Sequence, residues 1–414
     1  MMRNDTKKLF LTDLTEEATI CARCGYCNGV CCTYSELGWE SNSPRGWLAM
    51  LRGLFKDGKT PARFPADFVQ RLYNCTLCGK CGQVCPAHID LRRLWLELRQ
   101  EVVEKGQTPD FVGRISEVVA REHNVFDMPN EERADWVEYM ADVPDDGYQK
   151  KQAEVLYYVG CVSSFSAAAQ GIPLALAKVL ELADVDFSIL GGEEWCCGFP
   201  LIVAGQRKQA DVLIAHNIER LKELGARTVV FNCPSCYHAW EHEYHLEGVE
   251  LLHETQFLHR LITDGKLKLG DIRARVAYHD PCDLGRNSGV YEEPREVLRS
   301  VPGLELVELL HNRNESPCCG GGGDLEMLAP THPAGSNVSS RERDPDLSGG
   351  LEPTMTQRIA THLIEEAHRA KAERLVVACP QCKRTSLSGA EALESTMNVV
   401  DIAELVLEAV SAKQ

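Results

Sequence analysis

Apolar residues fall along this chain in two rhythms, and the change of rhythm divides it. Between Asp90 and Gly106 they recur at helical spacing. Leu91, Leu94, Trp95, Leu98 and Val102 share one face, Asp90 stands where an N-cap belongs, and Gly106 marks the stop. From Ala153 onward, short apolar runs each end in a cysteine: "EVLYYVGC", "TVVFNCPSC", "RVAYHDPC" and "RLVVACPQC". These predict strands. The longest apolar stretch, "VLYYVGCVSSFSAAAQGIPLALAKVL", is broken by Ser, Gln, Gly, Pro and Lys, so it reads as strand, loop and helix and not as a membrane span. The charged, mixed segment 107–151 predicts connecting helices.

The strand-bearing part occurs twice. Each copy runs strand, cysteine, helix-length stretch, adjacent cysteine pair, amphipathic helix, strand and C-x2-C. A shift of 146 residues places Leu213 on Ile359, Ile218 on Ile364, Val230 on Val376 and Cys233 on Cys379. The predicted fold is α+β. A mainly helical module spans 1–110 and a helical connector 111–152. Two pseudo-symmetric βαβ-type (α/β) lobes follow at 153–270 and 271–414. The copies differ by twenty-four extra residues at about 329–353, rich in Pro, Gly, Ser and charge. That composition predicts a loop, either a solvated decoration or a lid or docking element.

Charge and cysteine usage narrow the function. A net charge of -17 over 414 residues argues against a nucleic-acid groove or an anionic membrane as main partner. The start of the chain lacks a secretory pattern, so a cytoplasmic location is expected, with peripheral attachment to the inner membrane face through a partner subunit. Nineteen cysteines in such a chain predict metal ligands and not disulfides.

"CARCGYCNGVCC" and "CTLCGKCGQVCP" both match the C-x2-C-x2-C-x3-C pattern of two-cluster ferredoxins, in which the fourth cysteine of each run serves the other cluster. This assigns Cys21, Cys24, Cys27 and Cys85 to one cubane and Cys75, Cys78, Cys81 and Cys31 to a second. Zinc is the alternative, but three ligands spaced two apart suit a cube face better than a tetrahedron. Cys32 is a spare thiol beside a cluster or a substitute for Cys31. Each repeat offers five thiols, one more than a cubane or a zinc ion uses. An adjacent pair can reach neighbouring irons of a more open cluster, and the glycines that follow, Gly198 and Gly320 to Gly323, let backbone amides approach its sulfides.

The doubled C-x(30–40)-CC-x(30–40)-C-x2-C pattern behind a two-cubane module resembles the catalytic subunit of CoB–CoM heterodisulfide reductases. It is also similar to the iron–sulfur subunits of glycolate oxidase and anaerobic glycerol-3-phosphate dehydrogenase. The resemblance includes "SPRG" at Ser43 to Gly46 and "HDPCDLGR" at His279 to Arg286. It implies that Cys161, Cys196, Cys197, Cys233 and Cys236 hold one noncubane 4Fe–4S cluster, and Cys282, Cys318, Cys319, Cys379 and Cys382 a second. It further implies an anaerobic oxidoreductase subunit that passes electrons through two cubanes to paired noncubane clusters, which reduce or form a disulfide. The alternative is a relay without a substrate of its own, linking a flavoprotein dehydrogenase for glycolate, lactate or glycerol 3-phosphate to quinone, cytochrome or ferredoxin.

Other signals are smaller. His279 and Asp280 precede Cys282 and either bond cluster sulfurs, deliver protons to a departing thiolate, or cap the next turn. Arg286 orients an anionic substrate or makes a salt bridge. His238 and His242 stand four apart on a helix with no carboxylate expected to complete a metal site, which favours a polar face. No G-x-G-x-x-G follows a strand, and neither a P-loop nor a C-x-x-C-H haem site appears. The expected partners are therefore other redox subunits, namely a flavoprotein, a ferredoxin-like protein or a membrane cytochrome b.

Overall fold

The structure, a computed structural model, describes residues 17–55, 61–328 and 354–412. The predicted loop at 329–353 lies outside them. The amino-terminal module contains α1 (Pro44–Leu54), α2 (Ala66–Tyr73) and α3 (Leu91–Glu104), followed by α4 (Asp110–Glu122). The "SPRG" stretch starts α1. Ser43 Oγ accepts from the Gly46 amide at 3.0 Å, and Pro44 occupies the first turn, where its missing N–H costs nothing. Asp90 caps α3 as its position predicts, accepting from the Arg93 amide, and Leu91, Leu94, Trp95, Leu98 and Val102 are buried. Trp95 meets Trp47 edge to face at 5.1 Å, the centre of this module's core. In the connector, α4 is followed by one 3-10 stretch, Asn130–Tyr139.

Two four-stranded sheets follow, all their pairings parallel. The first has order β2-β1-β3-β4, with β1 Val155–Tyr158, β2 Phe187–Ser188, β3 Thr228–Phe231 and β4 Glu250–His253. The second has order β6-β5-β7-β8, with β5 Ala274–Tyr278, β6 Leu304–Val307, β7 Arg374–Val377 and β8 Asn398–Asp401. Crossover helices α5 (Gly171–Leu182) and α6 (Arg207–Leu224) serve the first sheet, with α7 (Pro234–Glu243) after β3 and α8 (Glu254–Thr263) after β4. Helices α9 (Glu292–Arg299), α10 (Met355–Arg369), α11 (Pro380–Ala392) and α12 (Ile402–Ser411) repeat that order in the second. The last helix of each lobe packs on the other lobe, α8 against α9 and α12 against α5. As a result one hydrophobic core holds Leu156, Val230 and Leu258 together with Val276, Ile402 and Val406.

Three groups join the second lobe to the module. A Cβ on Gly323 (φ +61°) would lie 2.2 Å from the Cys75 carbonyl oxygen, and one on Gly322 would lie 2.6 Å from that of Thr76. Here Gly322 and Gly323 permit close backbone approach to the second cysteine run, while the Gly320 amide donates to Cys318 Sγ at 3.3 Å and Gly321 to Gly323 stand on the cavity that the lobe cysteines line. Arg99, fully buried on α3, donates to the carbonyls of Leu72, Cys75, Val203 and Gly323. Its one guanidinium thus holds α2, the cysteine run and both lobes. Arg286 donates to the Cys78 carbonyl at 2.8 Å and to those of Asn314 and Ser316. Among the described residues it pairs with these carbonyls and with no carboxylate, so the salt bridge that its position suggested is absent there.

Candidate metal centres and the cavity between the lobes

The amino-terminal thiols gather in two pockets of similar size. Cys21, Cys24, Cys27 and Cys85 line one of about 350 Å3, together with Arg45 and Leu48. Cys31, Cys75, Cys78 and Cys81 line the other, about 360 Å3, with Cys32, Arg92 and Trp95. Burial, then the neighbouring Cys21, Cys24 and Cys85 thiols, push Cys27 up to about 11. Burial likewise pushes Cys75 up to about 12. Four thiols gathered around one pocket fit a cationic iron–sulfide core, which would stabilise their thiolate form.

In each lobe the topology brings distant cysteines to one place. The strand order reverses direction between β1 and β3, and again between β5 and β7. Such a switch point leaves a crevice beyond the carboxyl ends of the strands. Cys161 and Cys282 follow β1 and β5, whereas Cys233 and Cys379 follow β3 and β7. Cys233 and Cys379 are also the N-caps of α7 and α11, with Pro234 and Pro380 in the first turn. The C-P-x-C motif therefore sets two sulfurs at the positive end of a helix, where thiolates are favoured.

Nine of the ten lobe cysteines line one shared cavity of about 820 Å3: Cys161, Cys196, Cys197, Cys233, Cys236, Cys282, Cys319, Cys379 and Cys382. Val125, Phe199, Pro200, Pro234 and Pro281 form its apolar wall, with Ser235, Asp283, Asp324 and Gln381 as polar members. The tenth, Cys318, turns toward the module and makes thiol contacts with Cys282, Cys319, Cys32 and Cys78. Bonds donated by the Cys196 and Cys236 thiols lower Cys197 to about 6. Cys318 is lowered similarly, first by Cys282 and then by Cys319. Each adjacent pair thus contains one sulfur that accepts from its neighbours, a donor set suited to a soft, multi-iron centre. Cys32 sits where the second module pocket meets the second lobe, in contact with Cys318 and Cys78 and 3.7 Å from Thr76 Oγ1.

The surroundings break the pseudo-symmetry. In the first lobe, buried Arg133 pairs with buried Glu194 at 2.9 Å and reaches Cys161 Sγ at 3.5 Å. Glu194 also accepts from the Val159 and Gly160 amides at 2.8 Å, tying the loop before Cys196 to the end of β1. In the second lobe, His279 lies within 4.8 Å of the Cys319 and Cys382 thiols. Its Nδ1 meets Ser316 Oγ at 3.3 Å, and its buried Nε2 has no protein partner. Asp280 does not face the cysteines. Its oxygens accept from Arg295 at 2.7 and 2.8 Å and from the Arg313 amide. The His238 and His242 rings stand 4.2 Å apart on α7. Contrary to expectation, a carboxylate joins them, since Glu241 has a ligand atom within 4.8 Å of both.

Arg99, Arg133 and Glu194 went unnoticed in the sequence. Arg99 had a readable signal, because it continues the apolar stripe of α3 at the position after Leu98. Arg133 and Glu194 had none, since each is defined by a partner sixty-one residues away.

Comparison with known proteins agrees with this geometry. A family described as a 4Fe-4S dicluster domain matches residues 17–89, and one described as a cysteine-rich domain matches 155–240, 276–332 and 345–385. The first accounts for two cubane 4Fe–4S clusters, and the second is of the noncubane 4Fe–4S-binding type. The chain is 34% identical to a subunit of the dihydromethanophenazine:CoB–CoM heterodisulfide reductase of Methanosarcina mazei, over 98% of this chain and 97% of that one. The corresponding subunit of Methanosarcina barkeri is also 34% identical, over 98% and 97%. An EtfAB:quinone oxidoreductase of Syntrophomonas wolfei is 30% identical over 82% of this chain and 46% of its own length. Among solved structures, a hypothetical protein from Helicobacter pylori shares the fold at a TM-score of 0.53 and 10% identity, covering 89% of this chain and 73% of that one. No described helix is long and apolar enough to cross a membrane. Two four-cysteine pockets beside a cavity lined by nine cysteines of the doubled lobes, with similarity to the methanogen reductase subunits over nearly the full length, place this chain in the heterodisulfide reductase family, as an iron–sulfur oxidoreductase subunit.

Proposed function

We propose that the cavity between the lobes receives a disulfide, one sulfur facing each five-cysteine set, and that the chain reduces or forms the bond there. The observation that carries this reading is the shared cavity itself: cysteines of both repeats line one concave space between the lobes. Cys161, Cys196, Cys197, Cys233 and Cys236 are the proposed ligands of one noncubane cluster. Cys282, Cys318, Cys319, Cys379 and Cys382 are those of the other. In the module, Cys21, Cys24, Cys27 and Cys85 hold the first cubane and Cys75, Cys78, Cys81 and Cys31 the second. When bound, the clusters supply single electrons, and a disulfide needs two.

The chain's own residues do the rest. Phe199, Pro200, Pro234 and Pro281 keep water from the cavity wall, while Ser235 and Gln381 offer hydrogen bonds to substrate. His279 Nε2, buried beside Cys319 and Cys382, donates to the sulfur-rich centre of the second lobe. The contact of Cys78 and Cys32 with Cys318 favours the second lobe as the one that exchanges electrons with the module. Cys24 is exposed, which supports the first cubane as the meeting point with a partner redox subunit.

A relay role is the second reading, favoured by the relative named as a quinone oxidoreductase. Anaerobically prepared protein should contain about sixteen iron atoms, two cubanes and two four-iron noncubane clusters. After reduction, the CoB–CoM heterodisulfide should reoxidise it promptly with release of two thiols. Reoxidation by a quinone analogue, with indifference to disulfides, would replace the enzyme reading with the relay.

A further inference from the structure

We propose that Asp324 is the acid that protonates one of the two thiolates released when a disulfide is cleaved between the lobes, an assignment that rests on the function proposed above. Asp324 follows directly on the glycine run and stands on the wall of the cavity that the cysteines line. It is 8% exposed, and its Oδ2 has no hydrogen-bond partner. A buried carboxyl group with one oxygen unpaired at the cavity wall is stable there as the neutral acid, and a neutral acid has a proton to give.

The other cavity acid is already engaged. Asp283 accepts from Ser235 Oγ at 2.7 Å and from Asn287 Nδ2 at 2.8 Å, with Arg92 3.7 Å away. His279 is not on the cavity wall and aims at two cysteine thiols. The groups that face Asp324 from the module are Arg99 on α3 and Tyr73 on α2. Arg99 spends its terminal N–H groups on four backbone carbonyls, and Tyr73 donates to the Ala204 carbonyl at 2.9 Å. In the turn after Asp324, Glu326 is taken up by Gln381 and Arg384. Burial raises the Asp324 carboxyl to about 7, with Arg99 holding it from rising further.

The balance is R–S–S–R′ + 2 e− + 2 H+ → RSH + R′SH. The two reduced iron–sulfur centres are the reductant, one electron each. The S–S bond breaks, one sulfur takes the proton of Asp324, the other takes a proton from water, and water reprotonates the carboxylate between turnovers. As a general acid Asp324 acts while protonated, so turnover should fall as pH rises through about 7.

The test uses reduced holoprotein, the CoB–CoM heterodisulfide and cystine as probes, and infrared spectroscopy of the protonated carboxyl stretch. Wild type should lose a carboxyl band as pH rises through about 7, and Asp324→Asn should lack that band. Asp324→Asn should also slow thiol release by roughly 100-fold and abolish the falling limb of the pH profile, with reduction of the clusters by dithionite unchanged. Asp324→Glu, which keeps an acid, should retain both the band and the limb, so a folding defect in the asparagine variant cannot stand in for the result. Wild-type rate and pH profile in Asp324→Asn, or persistence of the band, would overturn the assignment alone. A wild-type protein that cleaves neither disulfide would overturn the assignment together with the function beneath it.

Discussion

Gly323 is where the second lobe touches the second cysteine run, and Gly323→Ala perturbs that contact with one methyl group. The new Cβ would lie 2.2 Å from the Cys75 carbonyl oxygen and 2.8 Å from the Thr76 carbonyl carbon. Both are backbone atoms, so no side chain can rotate away. The positive φ adds a backbone cost of about 1–2 kcal/mol for a residue with a Cβ. Overpacking against backbone adds about 1–3 kcal/mol, for a total of about 2–5 kcal/mol. Gly225→Ala separates the two effects. Its φ is +75° but nothing lies within 4 Å of the new Cβ, so only the backbone cost applies. Gly323→Ala should therefore unfold roughly 4–8 °C below Gly225→Ala in anaerobic melts, taking about 2 kcal/mol of extra cost in a domain of this size. It should also delay electron arrival in the lobes after the cubanes are reduced, followed by rapid-freeze EPR. Equal melting points and equal electron arrival in the two variants would refute the reasoning, because the glycine run would then not seat the lobe on the module.

Arg99→Met should loosen the module from both lobes, costing at least about 3 kcal/mol as buried carbonyls lose their donor, and should expose residues 105–110 to limited proteolysis. Arg99→Lys should not rescue it, since one ammonium cannot reach four carbonyls in the guanidinium's geometry. Arg133→Met leaves Glu194 buried without its cation, a loss of about 3–5 kcal/mol, and should empty the first lobe of iron while the EPR signal of the second persists. Burial, then the charge of Glu404, raises Asp401 to about 7, and burial, then the charge of Asp401, raises Glu254. The folded state therefore holds more protons than the unfolded one between the ordinary carboxylate range and about pH 7, so stability should fall as pH rises through that window. Glu254→Gln should flatten the decline, measured as urea midpoints on either side of about pH 7.

Much of the fold was written locally. The stripe from Leu91 to Val102 and its Asp90 cap define a helix whatever surrounds them. Four apolar runs ending in cysteine define strands, and their repetition at a shift of 146 residues fixes two lobes of one design. The module's cysteine spacing likewise foretold which thiols share a pocket, because three ligands two residues apart can hardly avoid one cube face.

Tertiary structure decided what spacing along the chain cannot express. Only folding shows that the two lobes open onto one cavity, or that Cys318 leans away from it toward Cys32 and Cys78. It gave Asp280 and Arg286 their structural partners and brought Glu241 to the two histidines of α7. It also made Gly322 and Gly323 part of a seam between modules. Local sequence sets backbone preference and side-chain rhythm over a few residues, but burial and the identity of a charge's partner depend on segments brought together from tens to hundreds of residues apart.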